Sequence, residues 1–414
     1  MFKVLVGLTL CSALAFPSVA AERTPEAEAV FENLKRIPQE GKFVYSWCHP
    51  WREDSPAAAE LKGGFSDELG RHPVLYFTDF YFVTDATKSA EKIRTSRACL
   101  LAMVKKAWTV YRAVPVFSWH PENPYVLQAK DGWHKKNAPF RYRHAIKGYP
   151  QEHRYVVHEI LTEKGFARDW YDTRLVEIVD FLSALKDAQG VAIPAVVRLF
   201  HECEDDWQWW GSGSVSAEDY KALFRMTVTD LRKRTGGGKN LLFAYSPDRY
   251  WHSAVDPTKP TDFLYRYPGD DVVDILGFDD YSIGEGKNEE EIKKIFDNAV
   301  RHMRMVAACA REKGKATGLF ETGVLGPTGK KTKRDDTYDL LFRAMTSPGA
   351  TLGFINTWGG GYTRPESDAG RACWKRFTQH AETLTYESGF DLVCGFREPA
   401  EKTASDSETE GTHP

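Results

Sequence analysis

The sequence predicts an α/β fold, a (β/α)8 TIM barrel that forms a single catalytic domain. Eight short apolar, β-rich runs recur along the chain, separated by stretches with helical periodicity. The length of 414 residues accommodates one large barrel with a core of its own. No glycine-rich phosphate turn follows the first run, which sets the pattern apart from a doubly wound open sheet.

In chain order the predicted strands are Phe43–Trp47, Pro73–Phe80, Val114–His120, Ile193–Glu202, Leu241–Pro247, Val272–Tyr281, Ala316–Thr322 and Leu352–Trp358. Helices are predicted between them, among them Thr95–Val110, Thr173–Asp187, Ala217–Arg234, Glu289–Lys313 and Thr337–Thr346. Ser216 is placed to cap the helix that begins at Ala217. Each unit of strand and helix is about 30 residues or longer, the length a parallel crossover needs.

Two segments interrupt the rhythm. Pro121 to Asp172 separates the third strand from its helix and is far longer than an ordinary connection. It is polar and aromatic, carrying Trp133, His134, Tyr142, His144, His153 and Trp170. In a barrel it would cover the face where sites form, either touching substrate or serving as surface decoration. The tail 398–414 is rich in Glu, Ser and Thr without large apolar residues, a composition that predicts disorder.

At the other end, residues 1–20 read as a secretory leader. Lys3 supplies a positive start, Val4–Phe16 an apolar stretch, and Ser18-Val19-Ala20 a small-residue cleavage site. The apolar stretch is too short to span a bilayer. Leu10 stands where a lipoprotein site before Cys11 would want a small residue, so anchoring there is not expected. A secreted or periplasmic protein follows, with its catalytic domain over 21–397. Six cysteines would remain, and an even number in an exported chain permits disulfides, with Cys373 and Cys394 as the first candidate pair. Buried free thiols are the equal alternative.

Composition narrows the partners. The formal net charge is -3, which argues against a phosphate-backbone ligand such as nucleic acid, since that would select a clustered excess of Lys and Arg. No Cys/His spacing suggests a metal, and nothing suggests a nucleotide or redox cofactor. The 54 aromatic residues (12 Trp, 18 Tyr and 24 Phe) offer flat apolar faces to sugar rings, or else fill a large core.

The chemistry lies at the strand ends. The fourth strand runs Val196-Val197-Arg198-Leu199-Phe200-His201-Glu202, and Trp207, Trp209 and Trp210 follow. The seventh reads Gly318-Leu319-Phe320-Glu321-Thr322. An unpaired carboxylate is costly to bury, so each glutamate needs either an ion pair or a cleft. Two of them on strands four and seven can face each other across the barrel mouth. Glycoside hydrolysis uses such a pair, one carboxyl to protonate the leaving oxygen and one to attack the anomeric carbon. His120 and Asn123, after the third strand, are candidate hydroxyl binders. Asp279 and Tyr281 end the sixth, where a tyrosine could hydrogen-bond the attacking carboxylate. Trp358 ends the eighth as a candidate floor, followed by Gly359-Gly360-Gly361.

These motifs together resemble glycoside hydrolase family 26, best known for β-mannanases, over about residues 41–374. The carriers are Ser118-Trp119-His120 with Asn123-Pro124, Arg198 with Phe200-His201-Glu202, the Trp207–Gly211 run, and Phe320-Glu321-Thr322-Gly323. The resemblance implies a retaining mechanism with Glu202 as acid/base and Glu321 as nucleophile. It further implies that His120, Arg198, His201, Trp207, Tyr281 and Trp358 shape the subsites, and Trp210 belongs to the same run. Leu199 stands where many members have proline. Cys203-Glu204-Asp205-Asp206 is more acidic than the small polar residues usual there, and Gly359 stands where some mannanases place a sugar-binding arginine, for which Arg364 could substitute.

The expected substrate is β-mannan or a related polysaccharide, cut by endo or exo action by a monomer without metal or cofactor. A β-xylanase or mixed-linkage β-glucanase on the same fold is the alternative, and a non-catalytic glycan-binding protein a more distant one. A metalloprotease is excluded because Asp205 stands where the second histidine of the helical zinc motif would be.

Overall fold

The computed structural model describes residues 22–48, 69–125, 156–162, 164–204, 208–249, 256, 258–325 and 334–396. The proposed leader, the tail, Trp207 and residues 126–155 of the insertion lie outside them.

Eight parallel strands form the barrel: β1 (Phe43–Trp47), β2 (Leu75–Asp79), β3 (Val114–Ser118), β4 (Ala195–Arg198), β5 (Leu241–Tyr245), β6 (Ile275–Asp279), β7 (Ala316–Thr322) and β8 (Phe354–Thr357). Each pairs with the next in sequence from β2 to β8, and β8 pairs with β1. The seam between β1 and β2 closes at the top through a parallel bridge from Cys48 to Phe77. The Ser46 hydroxyl also donates to the Leu75 carbonyl at 2.6 Å. Lower down, the short β9 (Thr383–Leu384) lies against the start of β1, and Tyr386 N–H reaches the His72 carbonyl ahead of β2. The (β/α)8 expectation is met; β1 and β7 keep the bounds of their apolar runs, and the other six strands are shorter than the runs that announced them.

The crossover helices start where their caps dictate. Ser216 accepts from Asp219 N–H at 3.0 Å ahead of Ala217–Arg234, and Asn288 accepts from Glu291 N–H at 2.9 Å ahead of Glu289–Lys313. Both helices carry acidic residues in the first turn and basic ones in the last, matching the helix dipole. Gly314 closes the second of them at φ 67.

Three rings occupy the barrel axis. Phe320 packs edge-on to Phe354 at 4.9 Å and to Phe77 at 6.2 Å between centroids. The room is made by glycines. A Cβ on Gly318 would lie 2.0 Å from the Phe354 ring, and one on Gly277 2.4 Å from the Phe320 ring.

The structure corrects three expectations. The insertion after β3 contains a short helix, Val156–Leu161, and the crossover helix begins at Phe166 rather than Thr173. Trp170 therefore packs against the core from within that helix instead of covering the barrel mouth. The six described cysteines are all free, so Cys373 and Cys394 form no bridge; the first is buried on its helix and the second exposed. Among the described residues, no helix is long and apolar enough to cross a membrane.

Candidate active site

The chain leaves β4 in a conformation that side chains rarely adopt. Phe200 has φ 46 and Glu202 φ 53, both in the left-handed region, a strain of about 1–3 kcal/mol each. Each residue of the turn is held by a specific bond. Tyr220 O–H donates to the Phe200 carbonyl at 3.0 Å, Trp210 Nε1–H to the His201 carbonyl at 2.7 Å, and Glu202 N–H to the Ser246 carbonyl at 3.0 Å. The turn lifts Glu202 to the mouth, where it is partly exposed, while His201 stays buried.

On the opposite wall a bulge does equivalent work. Asp279 pairs with Glu321 although Phe278 pairs with Leu319, so β7 carries one residue more than β6 at this point, and its register against β8 shifts as well. Such an extra residue re-aims the side chains that follow it. Phe320 thus fills the barrel axis while Glu321, its neighbour, also reaches the interior of the mouth.

Glu202, Asp279 and Glu321 come together, with an oxygen of each within 4.8 Å of the others. Arg198, fully buried below them, organises two of the three. Its Nη1 donates to Glu321 Oε1 at 2.5 Å and to Ser118 Oγ at 3.3 Å. Its Nη2 donates to Asp279 Oδ2 and to Ser246 Oγ at 3.0 Å. Tyr281 O–H donates to the other oxygen of Glu321 at 2.9 Å. One guanidinium among three carboxylates leaves surplus negative charge, so the group tends to retain a proton. Burial and the charges of Glu321 and Glu202 outweigh Arg198 and raise Asp279 well above the usual carboxylate range. Burial, then the same negative neighbours, raise Tyr281, which stays a hydroxyl donor. A cation placed among these carboxylates would face a guanidinium that already supplies the positive charge.

Two histidines stand on the β3–β4 side with opposite character. His201 Nε2 is 4.0 Å from Glu321 Oε1, within ion-pair distance. Burial, then the charges of Arg198 and His120, lower its pKa far enough to keep it neutral, so the contact is not an ion pair. His120 Nδ1–H donates to the Asp79 carboxylate, and its backbone N–H also reaches Asp79. Burial opposes its charge, but Asp79, with Glu321 and Glu202 behind it, prevails and raises its pKa. The two rings meet edge to face at 4.3 Å, and His120 lies 6.2 Å from Trp358, which is partly exposed.

The residues singled out in the sequence therefore divide. His120, Arg198, His201, Glu202, Asp279, Tyr281, Glu321 and Trp358 gather at one mouth. Trp210 does not open onto it: its ring is fully buried behind Phe200 and His201. Asn123 is buried as well, and its Oδ1 accepts from Tyr125 N–H at 3.0 Å, a local turn. Sequence reasoning passed over Asp79, Ser246 and Tyr362, and took Ser118 only as part of a motif. Asp79 ends an apolar strand much as Glu202 and Glu321 do, and that signal could have found it. Ser246 and Tyr362 carried none.

Tyr362 follows β8 and packs edge to face on Tyr281 at 5.4 Å, with part of its surface open. Its carbonyl accepts from Val324 N–H at 2.7 Å, and a Cβ on Gly323 would lie 2.5 Å from that carbonyl oxygen, so Gly323 permits the approach. Replacing Tyr362 with Ala is expected to raise KM for an oligosaccharide about three- to tenfold, the worth of one aromatic face, with a smaller change in kcat. Steady-state kinetics check this; an unchanged KM would remove Tyr362 from the cleft wall.

With this geometry described, the chain can be set beside known proteins. A family model described as glycosyl hydrolase family 26 matches residues 65–325. A mannan endo-1,4-beta-mannosidase of Bifidobacterium adolescentis is 32% identical over 213 residues, 48% of this chain and 20% of that protein. The chain thus spans about a fifth of that relative's length. A mannan endo-1,4-beta-mannosidase of Bacillus subtilis is 25% identical over 299 residues, 67% of this chain and 74% of that relative. Among solved structures, GH26C from Muricauda sp. MAR_2010_75 superposes with a TM-score of 0.72 at 25% identity, covering 91% of this chain and 95% of that one. The catalytic domain of a Bacillus sp. JAMB-750 endo-beta-1,4-mannanase gives 0.73 at 20% identity with the same coverage, a likeness of fold.

Proposed function

This chain belongs to glycosyl hydrolase family 26, and from that premise we propose that it is a retaining β-mannanase with Glu202 as acid/base and Glu321 as nucleophile. The observation that carries the reading is the separation of the two glutamates. An oxygen of each lies within 4.8 Å of the other. Retaining enzymes keep their carboxyl groups roughly 5–5.5 Å apart, whereas inverting ones leave about 6.5–9.5 Å for a water between them.

The chain's residues support each step. Glu202, partly exposed on its strained turn, donates its proton to the glycosidic oxygen as the bond from the anomeric carbon to that oxygen breaks. Glu321, aimed by Arg198 and Tyr281, attacks the same carbon and forms a glycosyl ester. In the second half Glu202 takes a proton from water, whose oxygen displaces Glu321 and releases the sugar with its original configuration. His120, neutral His201, Asp279 and Trp358 would bind and orient the ring between the two carboxylates. Trp207 is retained as a candidate from the sequence.

Mannan is the proposed substrate because the relatives named above are called mannan endo-1,4-beta-mannosidases. We further propose export through the 1–20 leader, which leaves residues 21–397 as the catalytic domain. Reducing-end release from mannan, xylan and mixed-linkage β-glucan tests the substrate, with mannan expected to dominate by at least tenfold. Proton NMR of the first product tests the mechanism: the β anomer is expected, and an initial α anomer would refute retention.

A further inference from the structure

Glu204, in the acidic stretch that follows Glu202, is 5% exposed. Its carboxylate does not face the sugar cleft. Oε1 accepts from Cys203 Sγ–H at 3.0 Å and lies 3.4 Å from the Tyr245 hydroxyl, which donates to the Phe263 carbonyl at 2.9 Å, and Oε2 accepts from Asp248 N–H at 3.2 Å. The Ser212 hydroxyl donates to the Glu204 carbonyl. Tyr245 and Asp248 belong to the end of β5 and the residues after it. The same segment contributes Ser246, whose carbonyl holds the Glu202 amide and whose hydroxyl reaches both Arg198 and Asp279.

We propose that Glu204 is a positioning residue for Glu202, anchoring the strained turn after β4 to the end of β5 through its buried carboxylate. Among the described residues, two bonds hold the far side of the turn to the segment that ends β5: Glu202 N–H to the Ser246 carbonyl, and Asp248 N–H to the Glu204 carboxylate. Tyr220 and Trp210 bind the carbonyls of Phe200 and His201 from the helix side, while Glu204 grips the neighbouring strand. Losing that grip would let Glu202 drift toward ordinary backbone conformations and out of line with Glu321.

Burial also moves the anchor's ionisation toward neutrality. Burial raises Glu204 to about 7, against the opposing bonds from Cys203 and the Asp248 amide and the charge of Arg266. The groups facing it are Cys203 from its own turn, Tyr220 from the helix Ala217–Arg234, Tyr245 at the end of β5, Asp248 just after it, and Arg266 from the segment beyond. Burial, with the charge of Glu204, raises the Cys203 thiol well above its usual value, so it stays a donor. Below pH 7 the carboxyl carries a proton and one accepting oxygen is compromised; above it, both oxygens accept.

The inference rests on the role given to Glu202, so its test has one arm that needs no activity. In Glu204→Ala, hydrogen exchange of the Glu202 amide should accelerate about tenfold or more at pH 8 while the barrel amides stay protected. In kinetics, kcat should fall at least fivefold with KM within twofold. Glu204→Gln should restore most of kcat below pH 7 and little above it, removing from the pH profile an ionisation centred near 7. If the Ala variant does not fold, Glu204→Gln alone decides by the same profile and the same amide. Unchanged exchange together with an unchanged pH profile would overturn the proposal. A wild-type protein inactive on every glycan would refute the glycosidase reading and leave the exchange result to decide this one.

Discussion

Glu321→Ala is expected to lower kcat by on the order of 10⁴-fold or more, as removal of a covalent nucleophile does. The fold should survive, because Arg198 keeps Asp279 and Ser246 as partners and Tyr281 can turn to water. Glu321→Gln preserves shape and loses only the charge, so it should be as inactive and nearly as stable as the wild type. If the Ala variant regains turnover with added azide, the product should be the α-glycosyl azide, since the anion enters from the vacated side. Near-normal hydrolysis by either variant would end the assignment.

Arg198→Met should produce the largest loss of stability, about 3–5 kcal/mol, because it removes one partner of a buried ion network. The guanidinium is fully buried and bonds Glu321, Asp279, Ser118 and Ser246 at once. Its removal leaves buried carboxylates that must take up protons. The sign of the pH dependence follows from Asp279, already raised above the usual carboxylate range. A carboxyl with a raised folded pKa holds a proton that the unfolded chain has released above pH ~4, so stability falls as pH rises through that window. The deficit of the variant should therefore be largest above neutrality and shrink toward pH 4, as urea unfolding at several pH values can show. A deficit independent of pH would mean that packing, not charge, is what Arg198 supplies. Arg198→Lys keeps the charge without the two-pronged geometry and should fall between.

Much of this was legible in the chain because its signals are local. Phe43–Trp47, Ala316–Thr322, Ala217–Arg234 and Glu289–Lys313 declare themselves by apolar runs, caps and charge placement, and the structure bounds them at the same residues. Glu202, Glu321, Arg198 and Tyr281 stood out because a polar residue ending an apolar strand contradicts its surroundings. Trp210 and Asn123 show the limit of that signal: both follow strand ends in sequence, yet both side chains are buried, which no local pattern announces. Trp170 was misplaced because the helix containing it starts seven residues earlier than its periodicity suggested.

What the sequence determined by itself is the set of eight strands, their parallel order and the pair of glutamates. Periodicity and strand-end chemistry are properties of neighbouring residues. What only the tertiary structure decided is how those residues meet. The bulge in β7 aims both Phe320 and Glu321 into the barrel, and the left-handed turn after β4 raises Glu202 while burying His201. The sharing of Arg198 between two carboxylates depends on strands 81 and 123 residues apart in sequence. No local pattern encodes such distances; closing the barrel brings those strand ends to one mouth, where burial and charge then act on them together.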